Sequence, residues 1–280
     1  MPELPEVETV VQGLRKTVLK KTISKVITDA PVKSIVVSGS FKSKSFETNL
    51  KNKIIKKIHR RGKNILIDLS GDITLWVHLK MTGHFYYKKV TVEKEKHDLV
   101  VFYFASPHEN KKLIFNDYRR FGRLRLFYTK ELFEQKGLKE LGPEPLEITT
   151  DDFVALCKTK NRMVKPALLD QSLIVGIGNI YADEALYASR IHPKKILSSL
   201  SKKKLIELHG HIQRILGMAI DNMGSSVDTY SGVNGESGKF QTYLKAYGQE
   251  NEPCERCGRK IVLEKIGSRS AHYCPKCQKL

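Results

Sequence analysis

The chain has 280 residues, of which 40% are hydrophobic, so it is long enough for one large or two ordinary domains and too apolar for global disorder. No apolar run reaches the about 18 residues of a membrane helix, and the acidic first ten residues are unlike a secretory signal, so we expect a cytosolic protein. The net charge of +19 favours a polyanionic partner, with a merely lysine-rich soluble surface as the alternative.

The first predicted element is a helix over residues 5–19. Pro5 suits the first turn of a helix, and Glu6 and Glu8 complement the positive end of its dipole. Apolar residues recur at helical spacing along one face: Val7, Val10, Val11, Leu14 and Val18.

Residues 22–128 are predicted to be rich in β-strands. Short apolar runs such as NILIDLS, ITLWVHL and LVVFYF are separated by turn sequences such as RRGK and LSGD. A series of this kind after one helix indicates an antiparallel sandwich or barrel with the helix packed on it.

The second half of the chain is predicted to be helical. Two prolines and a glycine at 142–145 indicate a linker, after which Thr150 is expected to cap a helix. A long helix is predicted from about Ser201 to Met223, and Gly224 ends it. Residues 224–239 are rich in glycine and serine, which predicts a mobile loop with a functional role.

Four of the five cysteines form two C-x-x-C pairs near the C-terminus: Cys254, Cys257, Cys274 and Cys277. This spacing predicts one structural Zn²⁺ bound by four thiolates, with a redox dithiol as the alternative. Cys157 stands alone at helical spacing with Phe153, which is typical of a small buried side chain.

The predicted hairpin between the cysteine pairs is basic. It carries Arg259, Lys260, Lys265 and Arg269. These charges are either solvated or presented to phosphate groups by a hairpin that the metal makes rigid.

Pro2 offers chemistry if Met1 is removed, because its nitrogen is then a secondary amine. An α-amino group has a pKa of about 8, so part of it is unprotonated near neutral pH. Such an amine can attack a sugar C1′, expel the base and form an iminium, with Glu3 or Glu6 moving protons. The residue types alone favour the simpler interpretation, an ordinary helix start.

The longer motifs favour the chemical reading, because together they resemble the formamidopyrimidine-DNA glycosylases along essentially the whole chain. The resemblance lies in PELPEVETV at 2–10, RRGKN at 60–64, HLKMTG at 78–83, NDYRRFG at 116–122, LGPEPL at 141–146, LLDQSLIVGIGNIYADEAL at 168–186, GKFQ at 238–241, AYG at 246–248 and SRSAHYCPKCQ at 268–278.

The resemblance implies an α+β fold with two domains. An N-terminal antiparallel β-sandwich with flanking helices is expected over 1–134 and a linker over 135–149. A helical domain with a helix–two-turns–helix element is expected over 150–244, including a lesion loop at 224–239 that would close over the flipped base. A β-hairpin zinc finger is expected over 245–280.

The resemblance also implies a bifunctional DNA glycosylase and abasic-site lyase of base excision repair. It would excise 8-oxoguanine and formamidopyrimidines through a Pro2 Schiff base, followed by β,δ-elimination. The expected partner is double-stranded DNA with oxidised bases or abasic sites. The protein is expected to act as a monomer in the bacterial cytoplasm, without membrane association.

The same resemblance assigns roles to individual residues. Pro2, Glu3, Lys63 and Arg269 would be catalytic, with Lys63 and Arg269 on phosphates, and Glu6 is a candidate proton shuttle. Met81, Arg119 and Phe121 would fill the space left by the flipped base. Further DNA contacts are expected from His78, Asn179, Tyr247 and Lys265.

The chain departs from the family pattern at several positions. Lys80 replaces a glycine, Tyr118 a proline and Ala271 a threonine, and the lesion loop begins GSSVDT instead of GGTT followed by arginine. These changes bear on lesion preference and leave Pro2 and Glu3 in place.

Two other functions are compatible with parts of the pattern. An endonuclease VIII-like enzyme would prefer oxidised pyrimidines, but that group typically opens P-E-G-P-E. A zinc-dependent DNA-binding protein without activity would sense damage and has no need of Pro2 and Glu3 at an exposed terminus.

Overall fold

The computed structural model describes residues 1–29, 36–37, 39–41, 46–105, 110–227 and 230–280. They form two compact units. The N-terminal unit comprises Met1–Lys139 and Met223–Lys239, and the C-terminal unit comprises Glu140–Asn222 and Phe240–Leu280.

The N-terminal unit contains short helices and most of the strands. Its helices are α1 (Leu4–Val18), α2 (Phe46–Leu50), α3 (Thr129–Leu132) and α4 (Lys136–Lys139). Its strands are β1 (Ile23–Thr28), β2 (Val36–Val37), β3 (Ile55–Arg61), β4 (Asn64–Leu69), β5 (Ile73–His78), β6 (Gly83–Lys89), β7 (Asp98–Phe104), β8 (Lys111–Asp117) and β9 (Arg123–Tyr128).

These strands form two sheets, in the orders β1-β7-β8-β6 and β2-β9-β5-β4-β3. Every described pairing is antiparallel except that of β2, which runs parallel to β9. The predicted sandwich is confirmed, with this two-residue strand as its parallel exception. The sequence run SIVVSG at 34–39, which also predicts a strand, lies partly outside the described residues.

The core of this unit combines side chains of both sheets with one face of α1. Val7, Val10, Leu14 and Val18 are all buried, as the helical spacing predicts. The helix ends near Lys20, which has a φ of 66°. Burial of this apolar face, rather than intrinsic propensity, holds the helix in place.

Two strands were not predicted from the sequence, namely β3 and β6. Each lies at the edge of its sheet. Only Ile55 and Ile58 of β3 point into the core, and its other residues are basic or histidine. Edge strands carry charge on their open side, which hides the alternation by which inner strands are recognised.

The C-terminal unit consists of helices and one hairpin. Its elements are α5 (Thr150–Lys158), α6 (Val164–Leu169), α7 (Asn179–Ala188), α8 (Lys202–Asp221), β10 (Val262–Ile266) and β11 (Arg269–Tyr273). The cap of α5 is Thr149, not Thr150, because the Thr149 hydroxyl accepts a hydrogen bond from Asp152 N at 3.2 Å. No described helix is long and apolar enough to cross a bilayer.

Residues Met223–Lys239 pack with the N-terminal unit, whereas the sequence placed 224–239 in the C-terminal domain. The reason is that Tyr230 and Val233 belong to the sandwich core. Asp228 and Thr229, the end of the GSSVDT segment, lie outside the described residues. The expected domain boundaries stay predictions.

Candidate active site and nucleic-acid interface

Pro2 and Glu3 lie at the start of α1, and both are buried. Glu3 is the N-cap of the helix, and its backbone N–H donates to Glu6 Oε2 at 2.8 Å. Met1 is 41% exposed, and its peptide bond occupies the Pro2 nitrogen. The amine therefore exists only in the chain from which Met1 has been cleaved.

The second oxygen of Glu6 binds the start of the 224–239 loop. Ser225 N donates to Glu6 Oε1 at 2.8 Å, and Gly224 has a φ of +74° beside the same carboxylate. Further along, Tyr87 N donates to Val233 O at 2.9 Å. The described part of this loop is thus fastened to the N-terminal unit at two places.

Lys63 lies in the two-residue turn between β3 and β4. The register pairs Arg61 with Asn64, and Gly62 has a φ of 56°, which suits a tight hairpin turn. Asn64 Nδ2 donates to Arg61 O at 3.0 Å, and Trp76 Nε1 donates to Asn64 Oδ1 at 2.8 Å. The side-chain amide of Asn64 therefore connects the turn that carries Lys63 to Trp76, because its nitrogen donates to the turn and its oxygen accepts from the indole.

His78 ends β5 and lies opposite Asn64, close to Lys63. Burial, together with the charges of Lys80, Lys63 and Arg125, lowers the pKa of His78 to about 3. Lys80 N donates to His78 Nδ1 at 3.0 Å, so the neutral ring carries its proton on Nε2. His78 is consequently a neutral donor suited to an anion.

The three residues expected to fill the space left by the flipped base, called the wedge residues below, are exposed. Met81 is 41% and Phe121 45% exposed, and the Arg119 guanidinium lies 4.8 Å from the centre of the Phe121 ring. Large exposed apolar side chains at loop tips are unusual for a folded core and typical of a binding surface.

Asp117 is a residue that the sequence analysis missed. Its buried carboxylate accepts hydrogen bonds from the Thr82 hydroxyl and from Gly122 N, and thereby touches the loops of both Met81 and Phe121. The available signal was an aspartate at the end of a strand and before a turn, where such a side chain commonly binds backbone amides.

In the C-terminal unit, Asn179 is the first residue of α7. Its buried Oδ1 has no hydrogen-bond partner among the described residues. The turn before it is held by Gln171, which accepts from Gly176 N at 2.9 Å and donates to Ile177 O at 2.9 Å. The backbone N–H groups at a helix N-terminus are suited to a phosphate.

Arg269 and Lys265 lie exposed on the β10–β11 hairpin. The neighbouring carbonyl of Ser270 accepts a hydrogen bond from the fully buried Lys165, which also pairs with Asp183. The hairpin strand that carries Arg269 is therefore tied to the helices by a buried ion pair, which sequence analysis did not find.

Tyr247 is half-buried, and its loop is held by Glu184. The Oε1 atom of Glu184 accepts from Lys245 N at 3.1 Å, Ala246 N at 2.8 Å and Tyr247 N at 2.9 Å. Burial raises the pKa of the Glu184 carboxyl, although these amides oppose the shift. The Tyr247 ring lies 4.9 Å from that of His272.

The four cysteines of the two C-x-x-C pairs converge, with their sulfur atoms within 4.8 Å of one another. Tetrahedral thiolate ligation requires this spacing, so Cys254, Cys257, Cys274 and Cys277 fit one structural Zn²⁺. Cys157 is buried in α5, and burial raises its pKa to about 12. It is the small core residue that the sequence predicts.

Three family models match the chain in order. The formamidopyrimidine-DNA glycosylase N-terminal domain matches residues 1–124, and the formamidopyrimidine-DNA glycosylase H2TH domain matches 141–231. A zinc finger found in FPG and IleRS matches 251–280.

Similar proteins carry the same family name. The formamidopyrimidine-DNA glycosylases of Ligilactobacillus salivarius and Pelotomaculum thermopropionicum are 43% and 41% identical to the chain; the first match covers 99% of each chain, the second 100%.

Similar solved structures hold damaged DNA. A Lactococcus lactis Fpg variant with Fapy-dG DNA matches with a TM-score of 0.90 at 36% identity over 100% of both chains. A MutM structure with carbocyclic 8-oxo-G DNA matches with a TM-score of 0.89 at 35% identity, again over 100% of both. With its order of domains, its cysteine site and these relatives, the chain belongs to the formamidopyrimidine-DNA glycosylase family.

Proposed function

We propose that the protein is a bifunctional DNA glycosylase and abasic-site lyase that excises oxidised purines from double-stranded DNA. The observation that carries this proposal is the position of Pro2 and Glu3, which are both buried directly before α1, where Glu6 joins Glu3 to Ser225. An N-terminal secondary amine between acidic groups is suited to nucleophilic attack at a sugar carbon.

In the proposed reaction, the free Pro2 nitrogen attacks C1′ of the damaged nucleotide. The C1′–N bond to the base breaks, and its electron pair leaves with the base, which takes up a proton. Glu3 protonates the ring oxygen, the sugar opens, and C1′ becomes an iminium carbon bound to Pro2. Glu6 is the candidate group that moves protons at this site.

The iminium makes the C2′ proton acidic. Its removal expels the 3′ phosphate by β-elimination, and a second elimination expels the 5′ phosphate. Water then hydrolyses the Schiff base and restores the amine. No external oxidant or reductant is needed, because each step moves only protons and leaving groups.

The DNA contacts are proposed for both units. In the N-terminal unit, Lys63 and neutral His78 bind phosphate, while Met81, Arg119 and Phe121 occupy the space of the extruded base and offset its unstacking. In the C-terminal unit, the phosphate ligands are the residues Asn179, Tyr247, Lys265 and Arg269. The zinc site holds the hairpin that presents the last two of these.

The preference for oxidised purines is supported by relatives whose solved complexes contain Fapy-dG or 8-oxo-G DNA. A Lactococcus lactis relative also holds DNA with an oxidised pyrimidine, so oxidised pyrimidines are the second candidate substrate class. We further propose that the protein acts as a monomer on DNA in the bacterial cytoplasm, since these relatives are bacterial.

The experiment is borohydride trapping on duplexes that contain 8-oxoguanine, formamidopyrimidine, thymine glycol or an abasic site. Mass spectrometry first establishes that Met1 is absent. We expect a covalent adduct at Pro2 on the purine lesions, and little adduct for Pro2→Gly. The matched control is Pro5→Ala in the first turn of α1, which leaves the amine unchanged.

An undiminished adduct in Pro2→Gly, or none in the processed protein, contradicts the proposed nucleophile. Equal trapping on thymine glycol contradicts the purine preference alone.

A further inference from the structure

The loops that carry the three wedge residues meet at one buried carboxylate. Asp117 is 0% exposed at the end of β8, paired with Gly83 of β6. Its Oδ1 accepts from the Thr82 hydroxyl and from Arg119 N at 3.2 Å, and its Oδ2 accepts from Gly122 N at 2.7 Å. One side chain thus binds the loop before β6 and the loop before β9.

The same two loops also pack against the ring of Phe115. A Cβ atom at Gly83 would lie 2.9 Å from the Phe115 Cζ atom, and one at Gly122 would lie 2.6 Å from that atom. The loops therefore close in on Phe115 so tightly that only glycine fits at either position.

Arg123 binds carbonyl groups of the second loop, residues 118–122. Its guanidinium donates to Phe121 O at 2.9 Å and to Gly122 O at 2.8 Å. Asp117 therefore holds N–H groups of the 118–122 loop, while Arg123 holds its carbonyl groups. Met81 and Phe121 are exposed, yet the loops that carry them are hydrogen-bonded to Asp117.

We propose that Asp117 is a positioning residue that fixes the Met81 loop and the Arg119–Phe121 loop relative to each other, so that they enter the base stack as one rigid wedge. This inference rests on the proposed function, because it assigns the wedge a duplex with an extruded base. Asp117 itself touches no DNA and takes no part in the chemistry at Pro2.

A carboxylate suits this position because it accepts from two backbone N–H groups and from the Thr82 hydroxyl at once. An ionised aspartate accepts at both oxygens, whereas asparagine has one oxygen and an NH₂ group that would face another N–H. In either orientation of the amide, Asp117→Asn leaves Arg119 N or Gly122 N facing the NH₂ group, which weakens the hold on the 118–122 loop with little change in volume. A misplacement of about 1 Å at such a site costs up to about 100-fold in rate.

The matched control is Asp98→Asn. Asp98 is also 0% exposed in the same sheet, accepting from Glu95 N at 2.9 Å and from Asn116 Nδ2 at 2.7 Å, but it contacts neither wedge loop. A third variant, Thr82→Val, removes only the link from Asp117 to the Met81 loop.

The test compares two duplexes. One contains 8-oxoguanine opposite cytosine and requires a base to be extruded, and the other contains a preformed abasic site, where no base remains to extrude. For Asp117→Asn we expect base release to fall by about 10- to 100-fold with cleavage at the abasic site changed less than about threefold. Thr82→Val should show a smaller difference between its effects on the two duplexes, and Asp98→Asn should show no such difference.

A 2-aminopurine placed beside the lesion reports insertion of the wedge, because unstacking raises its fluorescence. Asp117→Asn should reduce this rise at saturating protein. Equal loss on both duplexes, an equal difference between the duplexes in Asp98→Asn, or an unchanged fluorescence rise would overturn the proposed positioning. Loss of abasic-site cleavage in the unaltered protein would instead overturn the proposed function.

Discussion

Glu6 joins two segments that are more than two hundred residues apart in the chain. One carboxylate oxygen accepts from Glu3 N at 2.8 Å, and the other accepts from Ser225 N at 2.8 Å. Since Glu6 is only 2% exposed, neither amide has water as a replacement partner. The segment that carries the proposed nucleophile and the start of the loop are therefore linked through one side chain.

Glu6→Gln should damage both ends of this link. The amide offers one acceptor oxygen, so one of the two backbone N–H groups is left facing an NH₂ group, at a cost of about 1–3 kcal/mol in the free energy of unfolding. We expect slower Schiff-base formation as well as lower stability. Denaturant unfolding and single-turnover trapping measure the two effects; unchanged trapping would show that the link has no part in the reaction.

Gly224→Ala tests the loop side of the same link. Its φ of +74° is unfavourable for alanine, and the new Cβ would lie 2.7 Å from Glu6 Oε1. The control is Gly235→Ala, whose φ is also positive at +90° but whose Cβ meets nothing within 4 Å. Both variants lose about 1 kcal/mol of stability through backbone strain. Only Gly224→Ala should also slow trapping; equal behaviour would contradict the role of this contact.

His78 should stay neutral far below the usual range of histidine. Burial, followed by the charges of Lys80, Lys63 and Arg125, lowers its folded-state pKa to about 3. An unfolded chain binds this proton near pH 6.5. Between about pH 6.5 and 3 the unfolded state therefore holds more protons, and the contribution of His78 to stability falls as the pH falls.

Nitrogen-15 NMR of the imidazole measures the protonation state of His78 directly. We expect a neutral ring with its proton on Nε2 across pH 5–8. Binding of DNA should raise the pKa of His78, because a phosphate offsets the surrounding cations. Titration near pH 6.5 in the free protein would contradict the arrangement.

Lys80→Gly should have opposite effects on stability and on DNA binding. Lys80 has a φ of 56°, so glycine relieves about 1 kcal/mol of backbone strain. Loss of the cation should lower affinity for undamaged duplex and reduce the salt dependence of binding by about one counterion. The control is Lys20→Gly, at a residue whose φ is 66°. This variant should raise the stability of the protein by a similar amount without changing the salt dependence of DNA binding. Similar binding by both variants would remove Lys80 from the interface.

Removal of zinc should loosen the hairpin of Arg269 and spare the sandwich. Tyr187 lies beneath this region, with its hydroxyl 3.2 Å from Cys254 Sγ and the Arg256 guanidinium 3.8 Å from its ring centre. We expect one zinc per chain, lost in Cys274→Ser and retained in Cys157→Ala. Zinc assays and limited proteolysis of 251–280 provide readouts independent of activity. Zinc retained in Cys274→Ser would contradict the ligand set.

The sequence was sufficient for features with a local signature. The α1 face, the inner strands and the cysteine pairs each follow from a short-range pattern of residue types. Of the carboxylates that organise the site, Asp117 has only a weak local signal and Glu184 has none. Glu184 and Asp117 act through backbone amides, which every residue possesses, so their partners become visible only when distant segments meet in space.

Two further features have a similar physical origin. The strands β3 and β6 lie at sheet edges, where exposed lysines obscure the alternation. The 224–239 loop has the composition of a mobile segment, yet two apolar side chains, Tyr230 and Val233, suffice to seat it in the core. Composition averages over a segment, whereas packing depends on single side chains.

The hydrogen bond between Glu3 N and Glu6 lies one residue beyond the bond that must be cut to release Pro2. Aminopeptidase trimming of Met1 consequently exposes an amine on a helix that is already capped, with no refolding. In the proposed mechanism, the untrimmed protein lacks the amine that would react. An affinity tag at the N-terminus would hold it in that form, so preparations meant for kinetics should carry their tag at the other end.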